Sequence, residues 1–207
     1  NIYLLWAKAL AVAETAQPGQ FVMVRADDSG ERILRRPLGI HRVNAKGELA
    51  LLYEVVGRGT EWLAQRKKGD SLDILGPLGR GFTVESKRLL LVAGGVGIAP
   101  LVFLAERAAA DGCKVTLLFG AKVATQVYPK KLMPAGIDFV PITQDGLIKR
   151  QGMVTDLLGE LVGSVDQIFA CGPAAMYRAM SGMEVVGGRR VLVSMEGRMG
   201  WGFGMCT

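Results

Sequence analysis

Hydrophobic positions along the 207-residue chain change rhythm once, near residue 86. Before that point the apolar runs are short and are separated by Pro and Gly, the punctuation of strands and turns. NIYLLWAKALAVAE reads as a first strand. Phe21 to Arg25 (FVMVR) follows the turn signal Pro18-Gly19, GELALLYEVVG carries a strand from Leu49 to Val56, and Ser71 to Leu75 is another, closed by Gly76-Pro77 and Gly79. A short helix is predicted from Thr60 to Lys68, with Thr60 as N-cap and Trp62 and Leu63 on its apolar side. The pattern predicts a small antiparallel barrel or sandwich.

After Ser86, buried-type strands alternate with helical stretches. RLLLVA (88–93), KVTLLFG (114–120), IDFVPI (137–142), DQIFAC (166–171) and RRVLVSM (189–195) read as strands. Pro100 is predicted to begin one helix and Pro173 to open another, with a shorter helical stretch between the second and third of these strands. Such alternation predicts a doubly wound parallel sheet. The expected fold is therefore a β barrel plus an α/β domain: residues 1–85, then 86–195, with 196–207 as a separate glycine-rich loop.

Composition narrows the partners. Half of the residues are hydrophobic, enough for a sizeable core, and the net charge is +6. The basic residues are dispersed except at RILRR (32–36) and RKK (66–68), and no basic stripe with interleaved aromatics marks a nucleic-acid binder. No membrane span is expected, and Lys8 interrupts the apolar start, so no targeting segment is read there. Three dispersed cysteines make no disulfide framework, and the cytoplasm is the expected compartment. Glycine reaches 28 residues, about twice the usual share.

Several glycines sit where chemistry is expected. Strand 88–93 runs into GGVGIAP, Gly94 to Pro100, and then a helix, an arrangement that either receives a phosphate or makes a tight turn. Its spacing departs from the G-x-G-x-x-G pattern, with Pro100 where the third glycine would fall. Cys171-Gly172-Pro173 ends another strand in the same way, and its thiol is either activated by the following helix or a small buried hydrophobe. In the first half, Arg36-Pro37 holds a guanidinium on a stiff extended segment. Gly57 and Gly59 lead into Thr60 as a second anion-receiving arrangement. His41 is the only histidine, so multi-histidine metal sites are excluded and a packed or solvated role is expected for it.

Taken together, these motifs resemble the ferredoxin–NADP reductase superfamily, and within it the electron-transfer subunits of NAD-dependent (class 1B) dihydroorotate dehydrogenases. Arg36-Pro37-Leu38-Gly39-Ile40 is similar to the family's R-P-x-S-I flavin motif, Tyr53-Glu54-Val55 to its next flavin segment, and Gly57 to Thr60 to its G-x-G-T. Gly94, Gly95 and Gly97, with Cys171-Gly172-Pro173, match its nicotinamide-nucleotide side. The resemblance implies an FAD-binding barrel and an NAD-binding α/β domain. Arg36 would meet the pyrophosphate, Tyr53, Glu54 and Val55 would line the flavin, and Gly59 and Thr60 would hold phosphate. It implies an oxidoreductase subunit without acid–base catalytic residues, working in pyrimidine biosynthesis. Electrons would come from a catalytic dihydroorotate dehydrogenase subunit carrying FMN, in a hetero-oligomer of two of each subunit. The runner-up readings are a ferredoxin–NADP reductase-like subunit of a hydrogenase or other NAD(P)H-coupled complex, and a cofactor-depleted binding module of the same fold.

The resemblance also implies a [2Fe–2S] cluster in the C-terminal loop. Cys206 falls on the family's second ligand position, but Trp201 occupies the first, and an indole N–H cannot replace a thiolate. The sequence given ends before a third or fourth ligand, so an intact cluster is not expected in this 207-residue form. Gly39, where the family usually has serine, and Gly197, where relatives carry glutamate, are further departures.

Overall fold

The computed structural model describes residues 1–27 and 34–195. The expectations for Trp201 and Cys206 lie outside the described residues. The chain divides into two compact units, Asn1–Gly81 and Phe82–Met195.

In the first unit, β1 (Ile2–Lys8), β2 (Phe21–Val24), β3 (Arg36–Val43), β4 (Glu48–Glu54) and β5 (Ile74–Leu78) form one antiparallel sheet. Their order is β1-β4-β3-β2-β5, which puts β3 at the centre. The β3–β4 hairpin closes because Asn44 Oδ1 accepts the N–H groups of Lys46 and Glu48, at 3.0 and 3.1 Å, while Gly47 takes the left-handed φ of +73°. Val22, Met23, Val24, Ile40, Leu49 and Leu51 are fully buried and form the heart of this unit.

Three elements differ from the pattern-based expectation. Residues 10–15 fold as a helix, α1 (Leu10–Thr15), rather than continuing the first strand. The Ala9 carbonyl accepts the N–H groups of Val12 and Ala13, and Leu, Ala and Glu favour the helical turn. The next helix, α2 (Arg58–Ala64), begins before Thr60, with Gly57 as its N-cap. It also stops early, because Asp70 Oδ2 accepts the Lys67 N–H in a turn that puts Gly69 at φ +103°. Strand β5 starts three residues late and continues through Gly76-Pro77, which an edge strand tolerates since its outer N–H groups need no partner.

The second unit is built on a parallel sheet of β6 (Arg88–Gly94), β7 (Lys114–Ala121), β8 (Ile137–Thr143), β9 (Gln167–Cys171) and β10 (Arg190–Ser194), ordered β10-β9-β6-β7-β8. β6 from Leu89 to Ala93 and all of β9 are buried, as a sheet covered on both faces requires. The cover comes from α3 (Ile98–Ala110), α4 (Leu158–Leu161) and α5 (Ala174–Ser181). The helical stretch expected between β7 and β8 is reduced to two single 3₁₀ turns, Ala124–Gln126 and Lys130–Leu132, because Pro129 and Pro134 interrupt it. Pro100 is the third residue of α3, not its first, since a 3₁₀ turn at Gly95–Gly97 precedes the helix.

Residues 82–85 go with the second unit for a visible reason. The buried amide of Gln167 donates to Thr83 O at 2.8 Å and accepts from Glu85 N at 2.9 Å, and Phe82 meets Phe169 edge-on at 5.2 Å. These contacts satisfy a polar group that burial would otherwise penalise.

Candidate functional site

In the first unit, the central strand carries the candidate site. A central strand is ordinarily covered, yet residues 35 to 39 of the chain are all half-buried, while Leu49 to Tyr53 on neighbouring β4 are buried. Arg35, just before β3, donates two hydrogen bonds to the Asp73 carboxylate at 2.7 and 2.6 Å, and Arg25 approaches the same carboxylate at 3.6 Å. The Arg35 hydrogen bond holds the Asp73 carboxyl below its ordinary range. This ion pair anchors the entry to β3, where Arg36, Pro37, Leu38 and Gly39 pair with Val24, Met23, Val22 and Phe21.

Arg36 and Gly59 are brought together. A Cβ on Gly59 would lie 2.7 Å from Arg36 Nε, so only glycine lets the guanidinium stem lie against the start of α2. Thr60 is beside them but its hydroxyl is already engaged. It accepts from Val56 N and Gly57 N at 3.0 and 3.2 Å and donates to Gly57 O at 2.9 Å. Thr60 therefore shapes the turn, and its proton is not offered to a phosphate.

Tyr53 goes elsewhere. Its ring stacks on Tyr3 with centroids 6.1 Å apart, and burial, reinforced by Tyr3, pushes its phenol up to about 12. It lines a pocket of about 650 Å³ with β1, Leu63 and residues 66–72. Arg36, Gly59 and Thr60 are not among that pocket's lining residues, so it is not the predicted cofactor site. Glu54 is exposed and Val55 is half-buried, its N–H given to Asn1 O.

In the second unit, the two glycine loops meet. After β6 the chain moves to β7 and β8 on one side of the sheet, and β9 and β10 fill the other. The order reverses between β6 and β9, which is where open α/β sheets bind ligands, outside the carboxyl ends of the strands. Ala93 pairs with Cys171 there, so Gly94–Gly97 and Cys171–Pro173 emerge side by side. Their approach is very close. A Cβ on Gly97 would sit 2.2 Å from Cys171 O, one on Gly94 2.8 Å from Pro173 Cδ, and one on Gly172 3.1 Å from Gly94 N. Gly95 differs: it holds φ +55° with nothing within 4 Å of its Cβ position, so its backbone is open to a ligand. The residues present thus form a cradle at the switch point, which fits a dinucleotide. Cys171 itself is 1 % exposed, the environment of a small buried hydrophobe.

Two residues here were not singled out from the sequence. Met176, on α5, fills the space against Gly94 and Gly172. Tyr177 accepts from Gly172 N at 2.9 Å and donates to Ser194 O at 2.6 Å, tying the β9 loop to the end of β10. Their place in the first turn of a helix after a strand was the only available signal. His41 is buried in β3.

The fold and the cradle define an oxidoreductase nucleotide-binding unit. Residues 91–182 match the family described as the oxidoreductase NAD-binding domain. The whole chain aligns over 212 residues, at 39% identity and over 81% of the relative's length, with the dihydroorotate dehydrogenase B (NAD(+)) electron transfer subunit of Desulforamulus reducens. The chain belongs to that family of electron transfer subunits. Among solved structures, an NADH-dependent reduced ferredoxin-NADP oxidoreductase superposes with a TM-score of 0.87 at 30% identity, covering 99% of this chain and 75% of its own. A ferredoxin NADP+ reductase of Neisseria gonorrhoeae shares the fold at 14% identity and a TM-score of 0.75, over 93% of this chain and 91% of its own. No helix among the described residues is long and apolar enough to cross a membrane.

Proposed function

We propose that this chain is the electron-transfer flavoprotein subunit of a dihydroorotate dehydrogenase, receiving electrons from a catalytic subunit on FAD and passing them to NAD⁺. The observation that carries the reading is the meeting of Gly94–Gly97 with Cys171–Pro173 at the reversal point of the parallel sheet. Flavin, when bound, supplies the redox chemistry that links one-electron and two-electron carriers.

The chain's own residues do the positioning. Arg36 would neutralise the flavin pyrophosphate, Gly59 lets its side chain take that place, and Thr60 holds the Gly57 turn beneath it. The half-buried run Pro37-Leu38-Gly39 is the surface against which the cofactor would lie. On the nucleotide side, Gly94 and Gly97 set the loop, Gly95 offers open backbone, and Cys171, Gly172 and Pro173 form the opposite wall. Hydride transfer needs alignment rather than an acid or base, which agrees with a site built from backbone and glycine. A flavin-binding first domain and an NAD-binding second domain, with residues 82–85 placed in the second rather than the first as the sequence suggested, the FMN-bearing partner, the two-of-each hetero-oligomer and the cytoplasmic setting belong to the same proposal.

The test is reconstitution. The chain purified with its catalytic partner should carry flavin absorption and reduce NAD⁺ in a dihydroorotate-dependent assay. Protein that stays colourless after incubation with FAD would sink the reading. Flavin and NADH oxidation without any dihydroorotate dependence would favour the ferredoxin–NADP reductase-like alternative.

A further inference from the structure

In a doubly wound nucleotide site, the strand after the glycine loop and its helix normally ends in an acidic residue that bonds the adenosine ribose and repels a 2′-phosphate. That strand here is β7, which ends Gly120-Ala121 and is followed by Lys122. No Asp or Glu occurs anywhere from residue 112 to residue 137. The expected carboxylate is missing from its own strand.

A carboxylate nevertheless reaches the end of β7. Asp145 lies just beyond β8, which is paired with β7 along its full length. Gln144 N and Asp145 N donate to Ala121 O and Lys122 O, each at 3.2 Å. Asp145 Oδ2 accepts from Ala124 N at 2.9 Å, and Oδ1 accepts from Leu147 N at 3.1 Å. The loop after β8 is therefore laced to the loop after β7, with an anionic group at the junction. The Ala124 hydrogen bond, then that of Leu147, keeps the carboxyl below its ordinary range, so it carries its charge at neutral pH. Arg150, a basic residue in the loop after β8, lies 3.5 Å from Glu160 and is paired there.

We infer that Asp145, delivered from β8 to the end of β7, is the specificity-determining residue that selects NAD over NADP. This rests on the nucleotide reading of the β6–β9 cradle. Each oxygen of a carboxylate accepts more than one hydrogen bond, so the backbone bonds from Ala124 and Leu147, with the Thr143 hydroxyl close by, still leave acceptor capacity for a ribose hydroxyl. A 2′-phosphate in the same place meets like charge. Lys122 is exposed just past the end of β7 and is a basic group for a phosphate to meet there once the carboxylate's charge is removed.

The test uses nucleotides that need neither flavin nor hydride transfer. Dissociation constants of 5′-AMP and adenosine 2′,5′-bisphosphate are taken from ligand-dependent thermal shifts of the full chain, for wild type, Asp145→Asn and Asp145→Ser. Asn keeps an amide oxygen for the Ala124 N–H, whereas Ser is shorter, and unliganded Tm values report whether the loops stay folded in each. Wild type should bind 5′-AMP more tightly, and both variants should move the ratio toward the bisphosphate by about tenfold, or about 1.4 kcal/mol. In the flavin-loaded protein, the NADPH-to-NADH ratio of kcat/KM should move the same way. If both ligands weaken together and the ratio holds, Asp145 only shapes the loop and the inference is overturned alone. If neither nucleotide binds wild type, the inference and the nucleotide reading beneath it both fall.

Discussion

Gly97→Ala probes the cradle most directly. Gly97 has φ −59°, which any residue adopts, so the substitution carries no backbone strain of its own. The cost is contact: the new methyl would lie 2.2 Å from Cys171 O, 2.5 Å from Cys171 C and 2.8 Å from Gly172 N. All three are backbone atoms of β9 and its loop and cannot swing aside. Restoring ordinary contact requires more than about 1 Å of separation between the two loops, an overpacking cost of about 1–3 kcal/mol. For a chain of this size that lowers Tm by roughly 3–10 °C. The same displacement opens the nucleotide cradle, and misplacement on that scale costs about 100-fold in positioning-dependent rate. The assay pairs thermal denaturation with NADH titration of the flavin-loaded protein. Gly95→Ala serves as comparison: it meets nothing within 4 Å and is penalised only by its φ of +55°, about 1–2 kcal/mol. Gly159→Ala, also in open space, should be neutral. If Gly97→Ala keeps wild-type Tm and wild-type NADH affinity, the close approach of the two loops is not a functional constraint and the reasoning fails.

Other substitutions separate the two units. Gly59→Ala displaces only the Arg36 side chain, since its Cβ would sit 2.7 Å from Nε. Apoprotein stability should hardly change, while FAD affinity by fluorescence titration drops about tenfold, the worth of one charge-assisted contact. An unchanged affinity would remove Arg36 from the flavin site. Tyr177→Phe strands Gly172 N and Ser194 O and should cost about 1–3 kcal/mol, read as a lower Tm with a raised KM for NADH. A change in Tm alone would make Tyr177 purely structural. Tyr53, raised from 10.0 to about 12, favours the neutral phenol in the folded state. Its stabilisation is complete below pH 10 and is lost as pH rises through about 12. A spectrophotometric titration should show one tyrosine ionising late, whereas uniform ionisation near pH 10 in the folded protein contradicts its burial against Tyr3.

The parallel sheet was legible because strands such as Leu89–Ala93 are continuous apolar runs, which burial on both faces demands. The helix at α1 was not, because LAVAET is apolar enough to extend the preceding strand and only the Ala9 carbonyl decides the matter. β5 was displaced because Pro77 reads as a stop, and its tolerance depends on β5 being an edge, which is a property of the sheet order. The site shows the same limit. Gly94, Gly95, Gly97 and the Cys171–Pro173 segment stand out as glycine loops after strands. Asp145 and Tyr177 do not, since each acts through a hydrogen bond to a loop that only pairing brings near. Thr60 was expected at a phosphate from the Gly57–Thr60 helix start and the G-x-G-T resemblance, and that pattern does not reveal that the Thr60 hydroxyl is already engaged with Val56 N, Gly57 N and Gly57 O.

Glycine therefore does two separable jobs in this chain. At Gly59, Gly94, Gly97 and Gly172 the missing Cβ is needed by the protein itself, for each faces a protein atom closer than a methyl allows. At Gly95 and Gly57 the Cβ position is empty, so both backbones are open, and at Gly95 the φ of +55° is a second reason for glycine. The first group fixes where the loops stand, and the second leaves backbone accessible once they stand there. Substitutions in the first group should lower stability and binding together where the neighbour is backbone, as at Gly97, and binding alone where it is a side-chain end, as at Gly59. Counting glycines identifies the loops, but only the identity of the neighbouring atom tells which glycine is packed against the protein and which is left open.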